Sequence, residues 1–238
     1  MAGLRFSLRK IILLSFILCF LLVPSALAGT VTEDWADKNF DFTTVKTIML
    51  EDLEIENIDA NDIEEKNMLD YFYERAGKYS FEVVSADTVI NNISLANGVD
   101  LNSLADTNPE RAEAIWRADF PKNAQLRVAA KVMAYGTGST YVPPHEELVF
   151  DNTAPAPFWG PAWRPGWGPA LVPVLVPGYN FYFVNTKLRL DAYTLTDDGW
   201  QVVYSAESIC TKRIGKGQAA FEKVVKECLG GLNAKIKG

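Results

Sequence analysis

His145 is the only histidine in the chain, so any acid–base chemistry would start there. It follows Pro143-Pro144 and precedes Glu146 and Glu147. A general base or metal ligand needs convergent partners from elsewhere in the fold, and a loop histidine beside two glutamates is ordinarily a solvated residue. No nucleophile-elbow sequence accompanies it, so Ser-His-Asp catalysis has no support. Gly136-Thr137-Gly138 and Gly215-Lys216-Gly217 lack the full P-loop spacing and read as a turn and a helix start. Carboxylates crowd between Glu51 and Glu65, but without the glycine and terminal glutamate of a calcium loop. They read as a solvated acidic face that also favours a helix N-terminus. A glycosidase-type carboxylate pair is defined by a spatial separation that sequence does not carry. These residues assign no catalytic side chain, no cofactor and no metal, and the chain reads as a non-enzyme.

The stretch with the strongest pattern runs from Pro157 to Asn180. It is six tetrapeptides, each opening on proline: PFWG, PAWR, PGWG, PALV, PVLV, PGYN. Trp159, Trp163 and Trp167 share the period of four. Prolines in this register forbid an α-helix, and each would delete a ladder bond from a central strand. The expected conformation is an extended, polyproline-like or serially turned loop carrying large apolar rings. Phe158, Trp159, Trp163, Trp167 and Tyr179 are the candidate interaction residues. Such rings either fold back over their own sheet or meet a partner. The partner readings are a protein, a further copy of the chain, or peripheral membrane contact; a glycan platform in peptidoglycan is the competing class.

Residues 1–28 read as an export signal. Arg5, Arg9 and Lys10 precede an apolar run from Ile11 to Val23, and Ala26-Leu27-Ala28 fits a small-x-small cleavage site. The run is too short to span a bilayer comfortably as a permanent helix. Leu18 stands where a lipoprotein signal wants a small residue before Cys19, so lipidation is the weaker reading. Losing three cations makes the remaining chain more acidic than the formal −7 of the whole. An acidic chain with no basic cluster repels phosphate backbones, which excludes nucleic acid. Export, to the periplasm or cell surface, permits a disulfide between Cys210 and Cys228; the pair reads equally as two buried small hydrophobes.

Residues 29–238 suffice for one domain with a real core, interrupted at 151–180 by the Pro/Trp-rich insertion. After a polar lead, Phe42–Leu53 is the first expected strand. A helix over 62–76 has Asn61 as cap with Glu64 three residues on, and Gly77 as stop. Phe81–Val84 completes a crossover unit with parallel strands. Residues 87–104 are ambiguous, because Asn91, Asn92, Asn97 and Gly98 weaken a helix. Asn108 and Pro109 open the next helix, expected to end near Phe120, before Pro121. Gln125–Tyr135 alternates cleanly, which favours antiparallel neighbours. Phe181–Leu195 and Trp200–Thr211 form a hairpin around Asp197-Asp198-Gly199. The stripe Phe221, Val224, Val225, Cys228, Leu232, Ile236 marks a last helix, with Gly230-Gly231 expected to kink it. The expected fold class is α+β: a mixed, largely antiparallel sheet with helices mainly on one face.

Asn39-Phe40-Asp41-Phe42 followed by Val45-Lys46-Thr47, and the strand pair over Val184–Tyr204 (KLRLDAYTL, turn, WQVVY), resemble small bacterial envelope protein families. The chain is similar to envelope (lipo)proteins with TolB-N-terminal-like or CsgG-like α/β domains. That resemblance implies a periplasmic, non-catalytic adaptor or assembly component, and no family site residue is carried across.

Overall fold

The computed structural model describes residues 29–55, 58, 60–151 and 170–238, with the side chains of 147–151 and 170–173 excepted. The chain divides into two compact units. One comprises residues up to Thr137 together with Phe183–Gly238; the other is Gly138–Tyr182.

The first unit is built on a seven-stranded mixed sheet. Its strands are β1 (Thr30–Ala36), β2 (Thr47–Leu50), β3 (Glu54–Ile55), β4 (Glu82–Ser85), β5 (Leu126–Val142), β8 (Tyr179–Thr196) and β9 (Gly199–Arg213), while β6 (His145–Asp151) and β7 (Ala170–Val176) belong to the second unit. The order is β1-β9-β8-β5-β2-β4, with β3 beside β5. β1–β9 and β8–β9 are antiparallel; β2 is parallel to both β4 and β5. The α+β class with a mixed sheet is therefore what the chain adopts.

Helix α1 (Asp62–Ala76) makes the expected crossover between β2 and β4. Its capping box is complete: Asn61 Oδ1 accepts from the N–H groups of Ile63 and Glu64, and Glu64 Oε2 accepts from Asn61 N–H. The ambiguous stretch folds as two helices, α2 (Ala86–Asn97) and α3 (Leu101–Thr107). Gly98, which lowers helix propensity in the middle of a segment, here ends α2 at φ +63° and donates to Leu95 C=O. Helix α4 (Pro109–Asn123) runs through Pro121 rather than ending before it. Proline in the last turn costs only the bond to the carbonyl of residue 117, and Ala124 N–H still closes on Phe120 C=O.

Other expectations need correction. The polar lead contains β1, whose Thr, Val and Trp residues pair in full register with β9. The expected first strand opens as a 3-10 turn (Phe42–Thr44) capped by Asp41, and only then extends into β2. β5 does not have purely antiparallel neighbours, since β2 and β3 lie parallel to it. Its wetter face tolerates this because Arg127 is covered by rings, lying 5.0 Å from the centroids of both Tyr193 and Trp200. The Gly-Thr-Gly-Ser stretch continues β5 instead of forming a loop.

The larger core lies between the sheet and helices α1 and α5 (Gly217–Lys237), and takes in Ile48, Phe72, Leu126, Leu188, Tyr204 and Phe221. Helices α2–α4 add a smaller layer on the opposite face at the β2–β4 end, around Met49, Ile93 and Phe120. Adjacent residues sort this way because strand side chains alternate: Ile48 and Leu50 face the first core, Met49 the second.

Helix α5 passes through Gly230-Gly231 without the interruption that the two glycines suggest. A Cβ on Gly231 would stand 2.3 Å from Tyr204 Oη, so glycine is the residue that lets the sheet's largest buried side chain reach the helix. The Tyr204 hydroxyl donates to Cys228 C=O at 3.4 Å. Buried packing on both sides outweighs the helix cost of two glycines.

Candidate interaction surface

Several groups with chemical potential in the first unit are held by structural partners. Within the acidic run, Glu51 Oε1 lies 2.9 Å from Arg127 Nε, Asp52 accepts from the Tyr73 hydroxyl at 2.7 Å, and Glu54 pairs with Lys131. The Glu51–Arg127 contact is ionic by distance, yet Nε makes no aligned hydrogen bond among the described residues, so the pair attracts by charge proximity. Glu64 Oε1 accepts from Tyr135 Oη at 2.9 Å, which ties the start of α1 to β5. Burial, then that hydrogen bond, pushes the Tyr135 phenol up to about 12. Burial likewise leads in raising Tyr73 to about 12, with Asp52 next. Among the described residues, no three His, Cys, Asp or Glu side chains converge as a metal site.

The two glycine-flanked triplets are equally structural. Gly136-Thr137-Gly138 is strand, and Gly217 leaves room for Tyr135, whose hydroxyl would meet a Cβ at 2.2 Å. Cys210 and Cys228 are free thiols buried in the same core. Cys210 Sγ accepts from the Thr30 hydroxyl at 3.3 Å, and Cys228 Sγ faces Leu188 C=O at 3.9 Å. Burial above all pushes the Cys228 thiol up to about 12, so it has no thiolate character at neutral pH.

The second unit differs in kind. β6 and β7 form a two-stranded antiparallel ribbon, from the pair His145–Val176 to the pair Asp151–Ala170. The proline repeat was expected to exclude a central strand and to leave an extended or turned loop, but 170–176 is strand β7, with Pro173 in its middle opposite Leu148. In a ribbon of two strands, alternate N–H groups face away from the partner, and a proline there removes no ladder bond. Residues 152–169, which include Phe158, Trp159, Trp163 and Trp167, lie outside the described residues.

Tyr179 is described, and it is exposed. Four more large apolar residues of this unit are exposed with it: Tyr141, Val174, Leu175 and Tyr182. Val174 and Leu175 are consecutive in a strand, so both faces of the ribbon present apolar surface. Tyr141 was missed in the sequence because its Gly/Ser/Thr neighbours suggest a loop. Its phenol end occupies the space a side chain at Gly178 would need, with an ideal Cβ 2.2 Å from its Oη. His145 is exposed; its Nδ1 lies 3.0 Å from Pro143 C=O, and its ring centroid is 6.5 Å from that of Tyr179. A carbonyl only accepts, so Nδ1 carries the proton and Nε2 is the acceptor in the neutral ring. Among the described residues this surface offers apolar and aromatic contact.

The chain matches no protein-family model and no curated protein. Among solved structures it is similar to a DUF4136 family protein from Bacteroides thetaiotaomicron, at 12% identity and TM-score 0.40, covering 87% of this chain and 97% of that one. It is similar to the PelC dodecamer from Paraburkholderia phytofirmans at 9% identity and TM-score 0.38, with 86% and 99% covered. A hypothetical protein from Chlamydia trachomatis gives 6% identity and TM-score 0.39, with 81% and 98% covered. None of these three carries the TolB-like or CsgG-like name to which the sequence was likened.

Proposed function

We propose that this is an exported, non-enzymatic cell-envelope protein that holds a protein partner, or further copies of itself, through the Pro/Trp-rich segment and the ribbon that carries it. The observation behind this reading is the run of exposed apolar side chains at Tyr141, Val174, Leu175, Tyr179 and Tyr182, all flanking the tryptophan repeat. Isolated exposed apolar residues are ordinary, whereas five large ones within one small unit favour a partner that removes them from water. Tryptophan is a preferred anchor in such contacts, and proline lowers the ordering cost of binding. The leader-like start supports export to the periplasm or cell surface.

Trp159, Trp163 and Trp167 changed together to serine should abolish cross-linking of the exported protein to its partner while circular dichroism stays unchanged. Undiminished cross-linking would remove the reading. A second reading, binding of peptidoglycan glycan, is favoured by the exposed Tyr179 ring 6.5 Å from the His145 ring, whose Nε2 is the acceptor nitrogen. Co-sedimentation with purified peptidoglycan, lost in Tyr179→Ala, would select it over the first.

A further inference from the structure

We propose that the occupant of the outer β1–β9 face is the Pro/Trp segment of a second copy of this chain. This rests on the preceding reading, whose partner it names.

The receiving surface is defined by strand register. Thr30, Thr32 and Asp34 face the α5 side, through Cys210, Ser208 and Lys235. Alternation therefore sends Val31, Glu33 and Trp35 to the opposite face. Val31 is 64% and Trp35 53% exposed, so one chain leaves this surface uncovered. Glu33 lies directly across from Glu207, and like charges at opposed positions of an antiparallel pair repel. Glu207 is relieved by Lys187 at 2.7 Å, and the neighbouring Arg189 is turned to Asp191 at 2.8 Å. Glu33 has no ion-pair partner among the described residues. The face thus presents an unneutralised carboxylate between two exposed apolar side chains.

The matching ligand is in the same sequence. From Asn152 to Tyr182 the only charged residue is Arg164, set between Trp163 and Pro165. A guanidinium can neutralise Glu33 while stacking on the Trp35 indole, and proline-rich chain docks on aromatic surface at low ordering cost. Because donor and acceptor surfaces differ, the contact is head-to-tail and builds a ring or an open chain of copies.

Sedimentation equilibrium of the protein as purified tests this. Concentration-dependent assembly is expected, weakened at least tenfold by Arg164→Glu or Glu33→Arg alone and restored when both are combined. Thermal melts of the three variants matching the parent exclude misfolding as the cause. Single variants that assemble like the parent, or a double variant that stays apart, would overturn the β1–β9 assignment. If the triple tryptophan variant loses its partner while Glu33→Arg keeps it, the segment still binds but not here. A protein monomeric at all concentrations overturns self-docking and leaves the partner a different protein.

Discussion

The two units place similar residue types in opposite circumstances. Helix α5 and the ribbon β6–β7 are both rich in apolar residues at regular spacing. On α5 these fall along one helical stripe, and Phe221, Val224, Val225, Cys228 and Leu232 have no exposed surface. On β7 they fall on both faces of a two-stranded element, and among the described residues no second layer buries Val174 or Leu175; Leu175 is 69% exposed. Periodicity that matches one buried face makes a core, and apolarity without that match leaves apolar side chains in water.

Substitutions can break that contrast. Phe221→Ala should destabilise the protein by about 3–5 kcal/mol, since a fully buried ring leaves a cavity. Leu175→Ser should change stability by less than about 0.5 kcal/mol while reducing association. Urea unfolding of the two variants compares them directly, and equal losses would dissolve the distinction between the units. Alkaline pH sharpens it next. The Cys228 thiol and the Tyr135 and Tyr73 phenols have folded pKa values raised to about 12. Their contribution is whole below the unfolded values, about 8.5 for Cys and 10 for Tyr, and is lost as pH rises toward 12. The melting temperature of the first unit should therefore fall steadily above pH 9, and a flat profile to pH 11 would contradict the buried settings. The smallest effect is at the α1 cap. Asn61→Ala removes the acceptor for two N–H groups and should cost about 1 kcal/mol in a denaturant melt.

Legibility in the sequence followed the same division. The α1 boundaries, its capping box, the Asp197-Asp198 hairpin and the α5 stripe were readable because each is written in local chemistry. β1 was not, because a seven-residue edge strand with one side in water has no hydrophobic period; its place is fixed by pairing with residues about 175 positions away. Gly231 was misread for a related reason, as its purpose is a tyrosine on another element. Pro173 misled because the rule against proline applies to central strands of a sheet, and a two-stranded ribbon consists of edge strands. Of the candidate surface, the aromatic repeat was visible and its exposed flanks at Tyr141 and Tyr182 were not.

The second unit is spliced into the chain between two strands, β5 and β8, that are already neighbours in the main sheet. The chain therefore leaves and re-enters one framework on neighbouring strands, so changes of length between them place little demand on how that framework closes.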